Sequence, residues 1–246
     1  MEIKRKDGRL ANQLRPIKVE LDYLKYAAGS CLLEMGETRV VCAVMVEEKV
    51  PPFLKDTGTG WVSAEYSLLP YATTTRVPRS SSQSGRSQEI QRMIGRSLRG
   101  VTVLKALGER TLWVDCDVLQ ADGGTRTAAV TGAFLSLTMC LFRLHRAGQV
   151  KLPVLRDYLA GISVGVVQGQ PLLDLDYSED SVAAVDFNVV MTGRGELVEI
   201  QGTGEGRPFS REELERLLNL AGEGIKKIIA MERSLLGEDK ALLFGQ

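Results

Sequence analysis

One stretch, residues 112–132, constrains the fold more than any other part of the chain. Its sequence is LWVDCDVLQADGGTRTAAVTG. Apolar and polar side chains partly alternate in its first half, which predicts a strand. A turn at Asp122-Gly123-Gly124 follows, and a run of small residues then predicts a helix. The stretch therefore predicts a strand–turn–helix unit around which the rest of the chain is organised.

This turn has the residue types of an anion-binding site. Glycines let the backbone approach a ligand, and the first free N–H groups of a helix point toward it. Thr125 adds a hydroxyl group, and the planar cation of Arg126 suits bidentate phosphate binding. An ordinary strand-to-helix turn with a solvated arginine accounts for the same residues equally well. The spacing is not that of a Walker A loop, because no Lys-Ser/Thr pair follows the glycines.

A second basic feature lies upstream, in residues 73–107. Residues 73–85 form a Ser/Thr-rich loop without an apolar anchor, which we expect to be mobile when no ligand is bound. A helix is predicted from about residue 86 to 107, with an apolar face and an opposite basic face. Six arginines against one acid favour polyanion binding over a merely solvated helix face. These arginines are Arg76, Arg79, Arg86, Arg92, Arg96 and Arg99, and the acid is Glu89.

The remaining segments predict strands and one further long helix. Strands are predicted before the loop, at 19–21, 31–35, 38–46 and 61–69. Two hairpins follow Pro153, formed by 160–167 with 171–175 and by 184–191 with 196–201. The last helix begins with a capping box of Ser210 and Glu213. This order predicts an α+β fold with two similar halves in a single domain, divided near residues 148–158.

Residues 174–186, from the end of the first predicted hairpin to the start of the second, contain five acids and no base: Asp174, Asp176, Glu179, Asp180 and Asp186. Together with the basic helix and the anion-binding turn they fit a phosphoryl-transfer site, in which carboxylates hold Mg²⁺ or move a proton. Two carboxylates six residues apart on a straight strand are roughly 20 Å apart. Asp180 and Asp186 can therefore meet only if residues 181–185 bend. A solvated acidic turn is the alternative.

Composition excludes several other classes of site. Lys and Arg total 31 and so do Asp and Glu, so nucleic-acid binding must come from local patches. His145 is the only histidine, which argues against a Ser-His-Asp relay or a histidine-ligated metal. The four cysteines are widely spaced, as in reduced cytosolic proteins. The start MEIKRKDGRL has no secretory signal and no apolar run has membrane-spanning length, so we expect a cytoplasmic location without a membrane.

Five segments in order resemble the ribonuclease PH family of bacterial phosphorolytic tRNA nucleotidyltransferases, from about residue 7 to 231. They are GWVSAEYSLLPYAT, SGRSQEIQRMIGRSLR, CDVLQADGGTRTAAVTGA, DLDYSEDSVAAVDFNVVMT and EIQGTGEGRPFSREEL. The resemblance implies a double βαβα fold and a ring-shaped homohexamer built as a trimer of dimers. It implies removal of nucleotides from the 3′ ends of tRNA precursors and other RNA, with inorganic phosphate as co-substrate and nucleoside diphosphates as products.

The resemblance also implies roles for particular residues. Its phosphate ligands correspond to Arg86, Gly124, Thr125 and Arg126. Its catalytic carboxylates, which also hold Mg²⁺, correspond to Asp180 and Asp186, and in the family these two converge. Its tRNA-binding loop retains Arg76 and Arg79. We expect Arg92, Arg96 and Arg99 to line either the RNA path or a subunit interface.

The chain departs from the family pattern at a few positions. Tyr71 stands where members usually have arginine, and the loop after it is about three residues shorter, without the usual lysine-containing insert. Both changes affect tRNA affinity more than catalysis. Gly204 replaces the usual alanine and Phe187 the usual methionine, which we interpret as packing changes.

Two other functions fit parts of the sequence. The first is a catalytically silent RNA-binding ring subunit, because the segment Arg5–Ile17 resembles exosome subunits. Such subunits usually lose the phosphate arginine or the aspartates, whereas this chain keeps them. The second is a sugar or metabolite kinase, which lacks support because the sequence has no glycine-rich ATP loop.

Overall fold

A computed structural model describes residues 5–245 of the chain. Residues 1–4 lie outside the described part, which begins with the segment Arg5–Ile17. The first sheet has five strands in the spatial order β1-β2-β3-β5-β4, and only β4 and β5 run parallel. Its strands are β1 (Ile17–Leu21), β2 (Gly29–Met35), β3 (Thr38–Glu47), β4 (Trp61–Leu68) and β5 (Thr111–Gln120).

The second half of the chain forms an antiparallel sheet in the order β7-β6-β8-β9. Its strands are β6 (Leu159–Val167), β7 (Gln170–Leu173), β8 (Val185–Thr192) and β9 (Leu197–Thr203). The helices are α1 (Gly85–Val101), α2 (Leu104–Leu107), α3 (Thr125–Arg146), α4 (Tyr177–Asp180), α5 (Arg211–Leu236) and α6 (Glu238–Ala241). The α+β class and the predicted hairpins are confirmed. The predicted division near 148–158 falls in the segment between α3 and β6.

Helix α3 lies between the two sheets and contacts strands of both. One hydrophobic cluster runs from Cys31 in β2 through α3 to Leu243, so both halves share a core. By length and composition α3 is apolar enough to cross a membrane, contrary to the expectation from sequence, with a mean hydropathy of 1.5. Because 89% of that window is buried inside the protein, its apolar character is that of a core helix.

Helix α1 has the predicted apolar face but ends earlier than predicted. Ile90, Ile94, Leu98 and Val101 are all buried. The prediction that the helix continues to residue 107 is wrong, because the backbone is extended at Thr102. There the chain pairs with residues 154–155 of the segment that joins the halves, through a bridge to Leu155 and a hydrogen bond from the Val103 N–H to Val154 O.

The loop at residues 73–85 is anchored through its backbone and hydroxyl groups. It contains a short 3₁₀ helix, Arg79–Gln83. Ser81 Oγ donates to Leu68 O at the end of β4 at 3.0 Å, and the Val77 N–H donates to Pro70 O. The lack of an apolar anchor therefore does not leave the loop unattached, and its mobility stays a prediction.

Candidate active site

The glycine turn between β5 and α3 is held in place by contacts on both sides. Gly123 and Gly124 have φ values of +77° and +63°, in a region of backbone conformation that residues other than glycine rarely adopt. A Cβ atom on Gly123 would lie 2.5 Å from Leu175 O, so the turn packs directly on the backbone that precedes α4. Thr38 Oγ1 donates to Gly123 O at 2.7 Å and accepts from the Asp122 N–H at 2.9 Å. The N-terminus of α3 is thereby placed beside α4.

Arg15 links the same turn to the acidic segment. Its guanidinium is buried and donates to Asp122 O at 2.6 Å and to Asp174 Oδ1 at 2.7 Å. The other carboxylate oxygen of Asp174 accepts from the Arg15 backbone N–H at 2.7 Å. From the sequence alone, no role at the site is predicted for Arg15. The one feature of the sequence that could have indicated this role is the motif at residues 5–17, which contains Arg15. Its partners Asp122 and Asp174 are more than 100 positions away in the chain.

Three of the five clustered acids have structural roles. Asp174 pairs with Arg15, and Glu179 accepts two hydrogen bonds from the buried guanidinium of Arg5, at 2.6 and 2.7 Å. Asp176 caps α4 in a capping box with Glu179. These contacts leave Asp180 as the acid of α4 that faces the open site.

The bend that the sequence required between Asp180 and Asp186 is present. Helix α4 ends at Asp180, and the chain makes one further turn in which the Ala183 N–H donates to Asp180 O at 3.2 Å. Strand β8 then begins at Val185. A helical turn thus replaces a straight strand, and both carboxylates reach the same cavity.

This cavity has a volume of about 480 Å³ and is lined by every residue predicted for phosphate binding and catalysis. Those residues are Arg86, Gly124, Thr125, Arg126, Asp180 and Asp186. The lining also includes Tyr66, Ser84, Ser87, Tyr177 and Asn188, which are not predicted from the sequence. Two helices of more than eight residues, α1 and α3, begin at the cavity. Their free N–H groups favour a bound anion there.

The two carboxylates have unusual electrostatics. Burial raises the pKa of Asp186 to about 6, repulsion from Asp180 adds to this, and the positive charge of Arg126 opposes it. Burial also raises the pKa of Asp180. Oδ2 of Asp186 accepts a 3.4 Å hydrogen bond from Asn188, whereas its buried Oδ1 has no partner within the described residues. Asp186 is therefore an acid that exchanges its proton near neutral pH.

The predicted RNA-binding arginines are not all free. Arg96 forms a bidentate pair with Glu199 of β9, at 2.6 and 3.1 Å. Arg99 lies over the ring of Trp61 and donates to Val62 O at 2.8 Å. Arg76, Arg79 and Arg92 are exposed, and none of the three lines the cavity. Whether any of these arginines contacts RNA stays a prediction.

Comparison with known proteins decides the family. The model of the 3′ exoribonuclease family, domain 1 (RNase PH), matches residues 13–142, and that of domain 2 matches residues 157–224. The chain belongs to the ribonuclease PH family. Ribonuclease PH of Moorella thermoacetica is 58% identical over 237 residues, covering 95% of each chain. Ribonuclease PH of Bacillus subtilis is 53% identical over 238 residues, covering 95% of this chain and 97% of that one.

Solved structures share the family's fold at low identity. A chain of the Archaeoglobus fulgidus exosome with RNA bound to the active site has a TM-score of 0.80 and 22% identity, covering 94% of this chain and 93% of that one. Rice (Oryza sativa) Rrp46 has a TM-score of 0.77 and 20% identity, covering 95% and 100%. The predicted family and enzyme class are confirmed by the close relatives, whereas the exosome proteins show the fold alone.

Proposed function

We propose that this chain shortens RNA from its 3′ end by phosphorolysis, with tRNA precursors as substrates. One observation carries the proposal: a single cavity combines two helix N-termini and two arginines with a pair of carboxylates. The helix N-termini and the arginines suit binding of a free phosphate ion, and the carboxylates suit acid–base or metal chemistry. Relatives that are more than 50% identical over most of the chain are ribonuclease PH enzymes, which supports the same activity.

The arrangement allows in-line attack. Arg86, Arg126 and the α3 N-terminus would orient phosphate so that one of its oxygens faces the last phosphodiester. A bond forms between that oxygen and the phosphorus, the bond from phosphorus to the 3′-oxygen breaks, and the terminal nucleotide leaves as a diphosphate. When no metal is bound to it, Asp186 would give its proton to the departing 3′-oxygen, since its pKa in the metal-free protein is about 6.

We also propose that Asp180 and Asp186 hold Mg²⁺. The donor set fits this ion, because Mg²⁺ prefers oxygen ligands, keeps several waters and needs only one or two carboxylates beside substrate phosphates. The buried Oδ1 of Asp186, which lacks a hydrogen-bond partner in the described chain, is available for such a contact. The ion would offset the negative charge that gathers when phosphate meets the RNA backbone.

We propose that the assembly is a homohexameric ring, a trimer of dimers, as the family resemblance implied. The observation that supports ring formation is the fold shared with exosome-core chains. Sedimentation of active enzyme checks the stoichiometry, and a fully active monomer at dilute concentration would contradict it.

One assay tests the proposed activity. A tRNA precursor is incubated with and without inorganic phosphate, and the released nucleotides are resolved. We expect shortening only with phosphate, nucleoside diphosphates as products, and lengthening of RNA in excess diphosphate. Monophosphates formed without phosphate would mean hydrolysis and would overturn the proposal.

Substitutions then separate the roles of the site residues. Arg126→Ala is expected to weaken mainly the use of phosphate, through loss of a charge-assisted contact of roughly 1.5–3 kcal/mol. Asp180→Asn and Asp186→Asn are expected to lower turnover while RNA still binds. Near-normal turnover of either variant at saturating substrate would contradict the assignment of the carboxylates.

A further inference from the structure

A row of polar contacts joins the proposed phosphate site to helix α1. Nη1 of Arg126 donates to Oε1 of Gln201 at 3.2 Å. Nε2 of Gln201 donates to Oε1 of Glu199 at 3.4 Å, and Glu199 in turn pairs with Arg96 of α1. The row therefore runs along β9, which carries both Gln201 and Glu199, and links α3 to α1 through the second sheet.

The contacts of Gln201 determine how its amide is oriented. Gln201 lies between a cation and a carboxylate, so its carbonyl oxygen faces Arg126 and its NH₂ group faces Glu199. In the antiparallel pair of β8 and β9, Gln201 lies opposite Asn188, the residue that hydrogen-bonds Asp186. The two amides occupy adjacent positions on one face of the sheet, and each contacts a charged group of the site.

Arg126 is close to two carboxylates but is not paired with them. All three side chains line the same cavity. Within residues 5–245 no ion pair joins Arg126 to either carboxylate, and its one hydrogen-bonded side-chain partner is Gln201. A guanidinium released from that partner would be attracted to the carboxylates, because ionic attraction is strong in a partly desolvated site.

We propose that Gln201 is a positioning residue for phosphate use. It holds Arg126 away from Asp180 and Asp186, so that the remaining guanidinium N–H groups stay available for phosphate, and the Glu199–Arg96 pair holds Gln201. This inference rests on the proposed phosphorolytic function. It assigns Arg96 an intramolecular role in place of a contact with RNA.

The test compares Gln201→Met, which keeps length but removes the amide, with the parent enzyme. We expect the KM for phosphate to rise roughly 10-fold, as for loss of a hydrogen bond to a charged group, with a small change in the KM for RNA. Gln149→Met is the matched control, because Gln149 follows the far end of α3 and leaves both values unchanged.

A double-mutant cycle shows whether Gln201 acts through Arg126. In an Arg126→Met background, Gln201→Met is expected to add almost nothing to the loss of phosphate affinity. Additive losses would overturn the proposal, as would an unchanged KM for phosphate in Gln201→Met. If Gln201→Met does not fold, Gln201→Ala replaces it: it removes the amide that holds Arg126, so an unchanged KM for phosphate overturns the proposal equally. A parent enzyme that needs no phosphate would instead overturn the proposed function.

Discussion

The hydroxyl group of Tyr66 donates a 2.8 Å hydrogen bond to Oγ1 of Thr125, the first residue of α3. Tyr66 is almost fully buried, with 1% of its surface exposed, and burial raises its pKa, so the hydroxyl stays protonated. Because Thr125 accepts this bond, its own hydroxyl proton is free to point into the cavity. A buried tyrosine thus sets the direction in which Thr125 donates.

Tyr66→Phe removes only this hydroxyl group. We expect the KM for phosphate to rise several-fold and the free energy of unfolding to fall by about 1 kcal/mol, the net value of a typical hydrogen bond. Steady-state kinetics at varied phosphate and denaturant unfolding measure the two effects. Tyr158→Phe is the control, since Tyr158 is stacked on Phe244 and does not line the cavity. Equal changes in the phosphate KM of both variants would show that the Tyr66 contact has no part in phosphate binding.

The pKa of Asp186 is expected to depend on its neighbour Asp180. The folded-state pKa of about 6 lies above the ordinary value of 3.8, so this group contributes stability at pH values below about 4 that is lost as the pH rises through 6. Asp180→Asn removes a like charge and is expected to lower the Asp186 pKa. Carboxyl ¹³C NMR over pH 3–8 measures the pKa of Asp186. Asp239→Asn, at the exposed start of α6, is the control. An Asp186 pKa that stays near 6 in Asp180→Asn would show that burial alone raises it.

The exposed loop arginines are expected to contact the body of a tRNA precursor. Arg76→Ala/Arg79→Ala removes two phosphate contacts, which flattens the salt dependence of binding by roughly 0.7–0.9 log units per contact. The change is expected for a tRNA precursor and not for a short single-stranded oligonucleotide. The reciprocal test adds an arginine to the same region. Tyr71 is 69% exposed, and Tyr71→Arg is expected to tighten tRNA binding. Equal losses for both substrates in the double variant would place the contact elsewhere.

Glu232 of α5 is a buried carboxyl group that is expected to make stability depend on pH. It is 0% exposed, neither oxygen has a hydrogen-bond partner in the described chain, and burial raises its pKa well above the usual value. Because the folded-state pKa is raised, this contribution to stability is present below about pH 4.5 and is lost as the pH rises through the folded-state pKa, by up to about 1.4 kcal/mol per pH unit.

Glu232→Gln is therefore expected to flatten the decline of unfolding free energy above pH 4.5, measured by urea denaturation across pH. Glu223→Gln, an exposed site on the same helix, serves as the matched control and keeps the parent's pH dependence. An unchanged slope in Glu232→Gln would mean that the carboxyl group does not remain protonated in the folded protein.

Local features of the fold could be read from sequence because their causes are short-range. The turn at Gly123-Gly124, the capping box of Ser210 and Glu213, and the buried face of α1 depend on residues within about four positions of one another. Turn conformation, helix capping and helical periodicity act over that distance. The phosphate and carboxylate positions were identified through the ordered family motifs, and the structure brings them into one cavity.

The sequence by itself thus determined the family, the α+β class and the residue types of the site. Only the tertiary structure decided which acids face the cavity, since Asp174 and Glu179 are neutralised by Arg15 and Arg5 from the start of the chain. The same holds for the contact between Arg126 and Gln201, and for the end of α1 at Val101. Such partners are far apart in the chain, and they meet only because α3 packs between two sheets and fixes the distance between the halves.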